Sequence, residues 1–230
     1  MWYPLYAYLD PTYLLLVPVI IFGFYAQWKV RSTYNKYSRV AAGAGTPGAK
    51  IAGQLLQREE LGAVRLEEVG GQLSDHYDPR SRTLRLSPGV ARGSSIAAYG
   101  VAAHEVGHAV QHRDGYLFLK VRNAIFPVAN LGSQLLIPLM LAGFIFRWGF
   151  LINIGIILYA FAVVFQLITL PVEFDASRRA LTMLRESGAV APQEIAGAKK
   201  VLTAAALTYV AATLTSVMWL LYLLLGVRRN

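Results

Sequence analysis

The second half of the chain is dominated by three long apolar runs, at residues 124–146, 149–170 and 201–227, interrupted only by a few uncharged polar side chains such as Asn153 and Gln166. A helix needs roughly 20 consecutive apolar residues to cross the hydrocarbon of a bilayer. Each run therefore predicts a membrane-spanning helix. A fourth, shorter run covers residues 12–28, with Tyr13, Tyr25 and Trp28 near its ends, where amphipathic rings favour the membrane interface. No Lys or Arg precedes it in residues 1–11. That argues against a cleaved leader, which has a positive N-region, and a retained anchor is expected.

Between these runs the periodicity shortens. Residues 40–48 form a Gly- and Ala-rich linker, Thr46 and Pro47 open a helix with one apolar stripe (Ile51, Leu55, Leu56), and Gly62 is its expected stop. Val64 and Leu66 alternate with polar neighbours, Gly70 and Gly71 make a turn, and residues 83–87 alternate again through Leu84 and Leu86. Two short strands are predicted there. Ser94 or Ser95 caps a helix that should reach about Arg113 and end at Gly115. Pro171 opens a further helix ended by Gly188, and the last helix begins near Pro192.

Composition supports a membrane setting. Hydrophobic residues make up 55% and charged residues 15% of the 230, where a soluble domain carries about a quarter charged. A net charge of +9 raises nucleic acid as a partner, but the distribution points elsewhere. Of 22 Lys and Arg, 14 lie between Lys29 and Arg122 and five between Arg178 and Lys200, leaving Arg147, Arg228 and Arg229. With four spans the two basic segments share one face, which the positive-inside rule makes cytoplasmic. Arg228 and Arg229 then fall on the less favoured face. The expectation is a multi-pass protein of a prokaryotic plasma membrane, with the lipid bilayer and not nucleic acid as its surroundings. There is no cysteine, so disulfides and thiolate metal ligands are excluded.

The chemistry lies in His104-Glu105-Val106-Gly107-His108. On a helix, residues four apart share a face, so His104 and His108 can offer two imidazole nitrogens to one metal ion. Glu105 sits about 100° round the helix, placed to reach a water without ligating. This is the arrangement of metal-assisted hydrolysis, in which the carboxylate takes a proton from water and returns it to the leaving amine. His112 lies a further turn away and is expected to support the site from behind or to face the surface.

A catalytic zinc site usually has three protein ligands and an open position. Glu173, just past the run ending at residue 170, is the strongest third candidate, because an even number of crossings puts it on the face of His104. An acid favoured by a helix N-terminus would explain the same residue. Asp175 points to another side of that helix, with an ion pair to Arg178 or Arg179 as its alternative. Asp114 falls at the metzincin spacing, but Gln111 occupies the place where that class needs Gly to turn the chain back.

HEVGHAVQ at 104–111, together with Asp75-His76-Tyr77-Asp78-Pro79, Leu84-Arg85-Leu86-Ser87 and Pro171-Val172-Glu173-Phe174-Asp175-Ala176-Ser177, resembles the YugP-like family of membrane zinc metallopeptidases. That family is itself similar to HtpX and CAAX-prenyl-protease type gluzincins. The resemblance implies one catalytic zinc ion held by His104, His108 and Glu173. Ser177 stands where the related group has an Asp, so the orienting carboxylate has no direct counterpart, and Asp175 is one possible substitute. It also implies an edge strand that pairs with substrate, for which residues 83–87 are the candidate. His76 and Tyr77, expected in the preceding loop, are candidate oxyanion donors, and a structural loop accounts for them equally well.

The expected fold is a mainly α membrane protein with about four transmembrane helices and a small α+β zincin-like portion. Its segments are an anchor (1–28), a cytoplasmic metallopeptidase portion (29–123), a transmembrane hairpin (124–170), a helix carrying the third ligand (171–200) and a last span (201–230). The expected function is a zinc-dependent metalloendopeptidase with Glu105 as base, acting on membrane or membrane-adjacent polypeptides. The competing reading is a zinc-binding scaffold or chaperone, which would have no use for Glu105. A site-2-type intramembrane protease would place the motif inside a span, and here the motif helix ends in charged sequence outside the apolar runs.

Overall fold

The computed structural model describes residues 14–43, 45–188 and 190–229. It is mainly helical: α1 (Val17–Tyr37), α2 (Gly48–Arg58), β1 (Arg65–Glu68), β2 (His76–Asp78), β3 (Thr83–Leu86), α3 (Pro88–Ala91), α4 (Ile96–Arg113), α5 (Leu117–Ile145), α6 (Gly149–Ser187) and α7 (Pro192–Arg229). The chain forms two compact units.

The first unit takes residues up to Gln27, Val121–Leu170 and Thr208 onward. Its helices approach through glycines: a Cβ at Gly132 would stand 2.2 Å from the Leu158 carbonyl oxygen, the small-residue packing that membrane helices use. Arg147, at φ 55°, turns the chain between α5 and α6, and the Trp148 amide closes the turn on the Gly143 carbonyl at 2.9 Å. Among the described residues α5, α6 and α7 are long and apolar enough to cross a membrane. α1 is not among these helices. Thr12 and Tyr13 lie outside the described residues, and the apolar part of the described helix, 17–28, is only about 18 Å long at 1.5 Å per residue. With no Pro or Gly after Trp28 to stop it, the helix continues through Lys29 to Tyr37.

The second unit, Trp28–Lys120 with Pro171–Leu207, has a core built on α4. Ile51, Leu55 and Leu56 of α2, Leu84 and Leu86 of β3, Ala180 and Leu184 of α6, and Ala198 and Leu202 of α7 pack around Tyr99, Ala102 and Val106. The Tyr99 hydroxyl donates to the Thr46 carbonyl at 2.7 Å and accepts from the Thr46 amide at 2.9 Å, pinning the linker before α2. Helix α2 ends earlier than Gly62. Glu60 takes the left-handed conformation at φ 58°, and the Leu61 amide closes on the Leu56 carbonyl at 2.7 Å. Such a conformation costs a non-glycine residue about 1–2 kcal/mol. Here it lets Leu61 pack against the core.

The sheet differs from expectation in two ways. His76 and Tyr77 lie on a strand, β2, rather than in a loop, and the sheet order is β1-β3-β2. β3 is therefore central, paired parallel with β1 and antiparallel with β2, and cannot serve as a substrate-pairing edge. Its burial agrees, with Thr83 and Leu84 wholly enclosed. Pro171 starts no new helix either: α6 runs through it unbroken to Ser187, and Gly188, at φ 66°, ends it.

Candidate metal centre

Helix α4 is set by its cap and its small residues. The Ser95 side chain accepts from the Ala98 amide at 3.1 Å, and Gly115, at φ 64°, ends the helix with the Tyr116 amide on the Gln111 carbonyl. Nearly every position from Ile96 to Ala103 is buried, so the motif helix runs through the core of its unit. Gly107 lies between the two histidines, and a Cβ there would stand 2.6 Å from the Ala176 carbonyl oxygen. Only glycine admits so close an approach of α6 to α4.

That approach brings Glu173 over the histidine face. Its Oε2 is 3.2 Å from His104 Nε2 and 3.6 Å from His108 Nε2, and the imidazole centroids are 4.7 Å apart. One donor atom from each of the three residues falls within 4.8 Å of the others. Among the described residues neither His76, Asp114 nor Asp175 joins this cluster. Two imidazole nitrogens and a carboxylate oxygen suit zinc, and three protein donors leave a position open.

The opposite ring nitrogens have partners too. His104 Nδ1 is 3.2 Å from Ser177 Oγ, and His108 Nδ1 is 3.0 Å from Gln111 Oε1. Gln111 is wholly buried, and its Nε2 donates to the Val172 carbonyl at 2.8 Å and to Asp175 Oδ2 at 3.0 Å. Both of those partners can only accept, so the amide oxygen must face His108 and His108 Nδ1 must carry the proton. His108 Nε2 then presents its lone pair toward Glu173, the tautomer a metal needs. Asp175 is itself held by Arg178 and, at 2.6 Å, by Arg179, which also reaches Asp114 at 2.6 Å. The carboxylate thus supports the site through Gln111, while Ser177 contacts His104 directly. Asp114 is occupied by Arg113 and Arg179.

Glu105 is buried beside the cluster. Burial pushes its carboxyl up to about 7, the His104 charge opposes this, the Glu173 and Asp75 charges add to it, and the Tyr77 backbone amide favours the ionised form. β2 is therefore the strand next to Glu105. The Tyr77 hydroxyl lies 2.9 Å from His112 Nδ1, which gives His112 a role behind the site. His76 is exposed, with Nδ1 2.8 Å from the Ser74 carbonyl oxygen and Nε2 3.5 Å from Arg85. Asp75 accepts from the Ser87 amide at 2.7 Å and ties β2 to the end of β3. In the sequence Gln111 stood out only as the residue that excludes a metzincin turn, not as a partner of His108, and Gly107 only as part of the motif, with no packing role. Their only signals for these roles were a polar residue three after His108 and a glycine in a helix interior.

The mainly helical fold carries a donor triad that could hold a metal ion, and comparison with known proteins identifies its group: the chain belongs to the family described as "Putative neutral zinc metallopeptidase", whose model matches residues 12–228. A curated relative, "Putative membrane protease YugP" of Bacillus subtilis (strain 168), is 48% identical over 207 residues, covering 90% of this chain and 92% of that protein. No solved structure matches.

Proposed function

We propose that this chain is an integral-membrane, zinc-dependent metalloendopeptidase of gluzincin type, with His104, His108 and Glu173 as ligands to one ion and Glu105 as general base. The observation that carries this reading is the meeting of Glu173 with two histidines from another helix, with Glu105 beside the donor set but outside it. In such a site zinc supplies Lewis acidity, lowering the pKa of a water toward about 7 and polarising a peptide carbonyl.

Glu105 takes the proton of the attacking water and returns it to the departing amine. A carboxyl poised near neutrality suits both transfers. Ser177 and Gln111 hold the two imidazoles with Nε2 toward the ion. An extended substrate lies along the outer edge of β2; of the neighbours Tyr77 and His76, whose side chains leave the strand on opposite faces, Tyr77, which meets α4 at His112, is the one that donates to the developing oxyanion.

In the same reading the residues 12–28 form a fourth span, and both basic segments face the cytoplasm together with the active site. Reporters fused after Arg39 and Ser187 should read cytoplasmic and one at Arg147 outside; opposite faces for the first two would end this topology. For the activity, the full chain purified in detergent should cleave an unstructured polypeptide, stop on chelation and resume with added zinc. Stoichiometric zinc with no cleavage of any polypeptide would favour a zinc-bearing scaffold instead.

A further inference from the structure

Within the unit that carries the metal cluster, α1 and the start of α7 face each other across a cavity of about 700 Å³. α1 lines it with Lys29, Ser32, Thr33 and Lys36, and α7 with Lys199, Lys200 and Thr203. The α1 residues are spaced as one helical face, and so are those of α7. Gly197 draws the helices together: a Cβ there would stand 2.9 Å from the Tyr37 ring.

Among the described residues no carboxylate lines this cavity. α1 has no acidic residue, and the single acid of α7, Glu194, accepts from the backbone amides of Gly43 and Ala191. Among the described residues none of the four lysines forms an ion pair. Four ammonium groups around one cavity repel one another, and an anion with several acceptor oxygens relieves that repulsion. Phosphate has those oxygens, and lysine binds it as a point charge while neighbouring hydroxyls donate to it.

We propose that this cavity binds the phosphate of an anionic phospholipid headgroup. Chain order selects a lipid over a soluble phosphate. Immediately before Lys29, α1 exposes Phe24, Tyr25 and Trp28, and after Leu207 α7 continues into its apolar run. In the other unit the same two helices line a separate groove of about 490 Å³ with Ile20, Gly23, Phe24, Ala211 and Ala212 and, among the described residues, no charged side chain. Basic pockets on helices that continue into hydrocarbon are where anionic headgroups are held. The site uses none of the residues assigned to catalysis.

The test is native mass spectrometry of the detergent-purified full chain titrated with phosphatidylglycerol or phosphatidylcholine. The wild type should retain the anionic lipid selectively. Lys29→Gln with Lys199→Gln should weaken that retention about 30-fold, and Lys36→Gln with Lys200→Gln should act alike. The control pair Lys50→Gln and Arg58→Gln, exposed cations of α2, changes net charge equally and should leave retention unchanged. Equal retention of both lipids, or an undiminished preference in both lysine pairs, would overturn the site. Displacement of the lipid by inorganic phosphate alone would overturn the lipid assignment in favour of a soluble anion.

Discussion

Residues 149–170 and 171–187 belong to the same unbroken helix, α6, yet they distribute polarity in opposite senses. In the first stretch large apolar side chains stand on the surface, with Phe150 73%, Ile157 60% and Leu167 48% exposed. In the second, two of the three acids are enclosed: Glu173 is 3% and Asp175 6% exposed, among wholly buried Val172, Ala176, Ala180 and Leu184, while Glu186, near the helix end, is exposed. Leaving a large apolar side chain in water forgoes about 1.5–3 kcal/mol, so the first surface suits hydrocarbon. Burying a carboxylate demands a compensating partner, and the two imidazoles, Gln111 and the arginines provide that setting. Exposed apolar surface therefore reports the solvent, and buried charge reports the chemistry.

Each half can be challenged by substitution. The largest effect is expected at the site: Glu105→Gln should keep zinc but slow hydrolysis about 10²- to 10⁴-fold, because it removes proton transfer without removing a ligand. Preserved turnover would show that the base is elsewhere. In the apolar half, Ile157→Arg should oppose membrane insertion by about 3 kcal/mol, read as a smaller inserted fraction in a protease-protection assay; normal insertion would mean that this face does not meet lipid. A smaller change is expected for Gln111→Leu, which strips His108 Nδ1 of its acceptor and Asp175 of a donor. Zinc affinity should fall about 10- to 100-fold with the chain still folded, and affinity within two-fold of wild type would sink the relay from Asp175.

The two halves were not equally legible in the sequence. The apolar runs of α5, α6 and α7 announce themselves by length, and the His104-Glu105-His108 spacing states its own geometry once a helix is granted. Glu173 could be proposed from its place after a span, but helix polarity alone would also explain it, and only the packing of α6 on α4 separates the two. That packing depends on Gly107, whose value is a close approach that no one-dimensional pattern encodes. Gln111 was visible as the residue that excludes a metzincin turn, while its hydrogen bond to His108 required knowing where Val172 and Asp175 fall. β2 was missed because three residues between turn-rich stretches carry too little alternation to count. The pairing order that makes β3 central is likewise absent from alternation, which reports which faces are buried and not which strands are neighbours.

The most direct test of the metal centre is a zinc titration of the purified full chain against a competing chelator, comparing wild type with Glu173→Ala. Loss of the carboxylate leaves two imidazoles from one helix, so the account predicts about one zinc per wild-type chain and a severe fall in affinity for the variant. Wild-type zinc affinity in Glu173→Ala would contradict the ligand set and, with it, the reading of the buried half of α6.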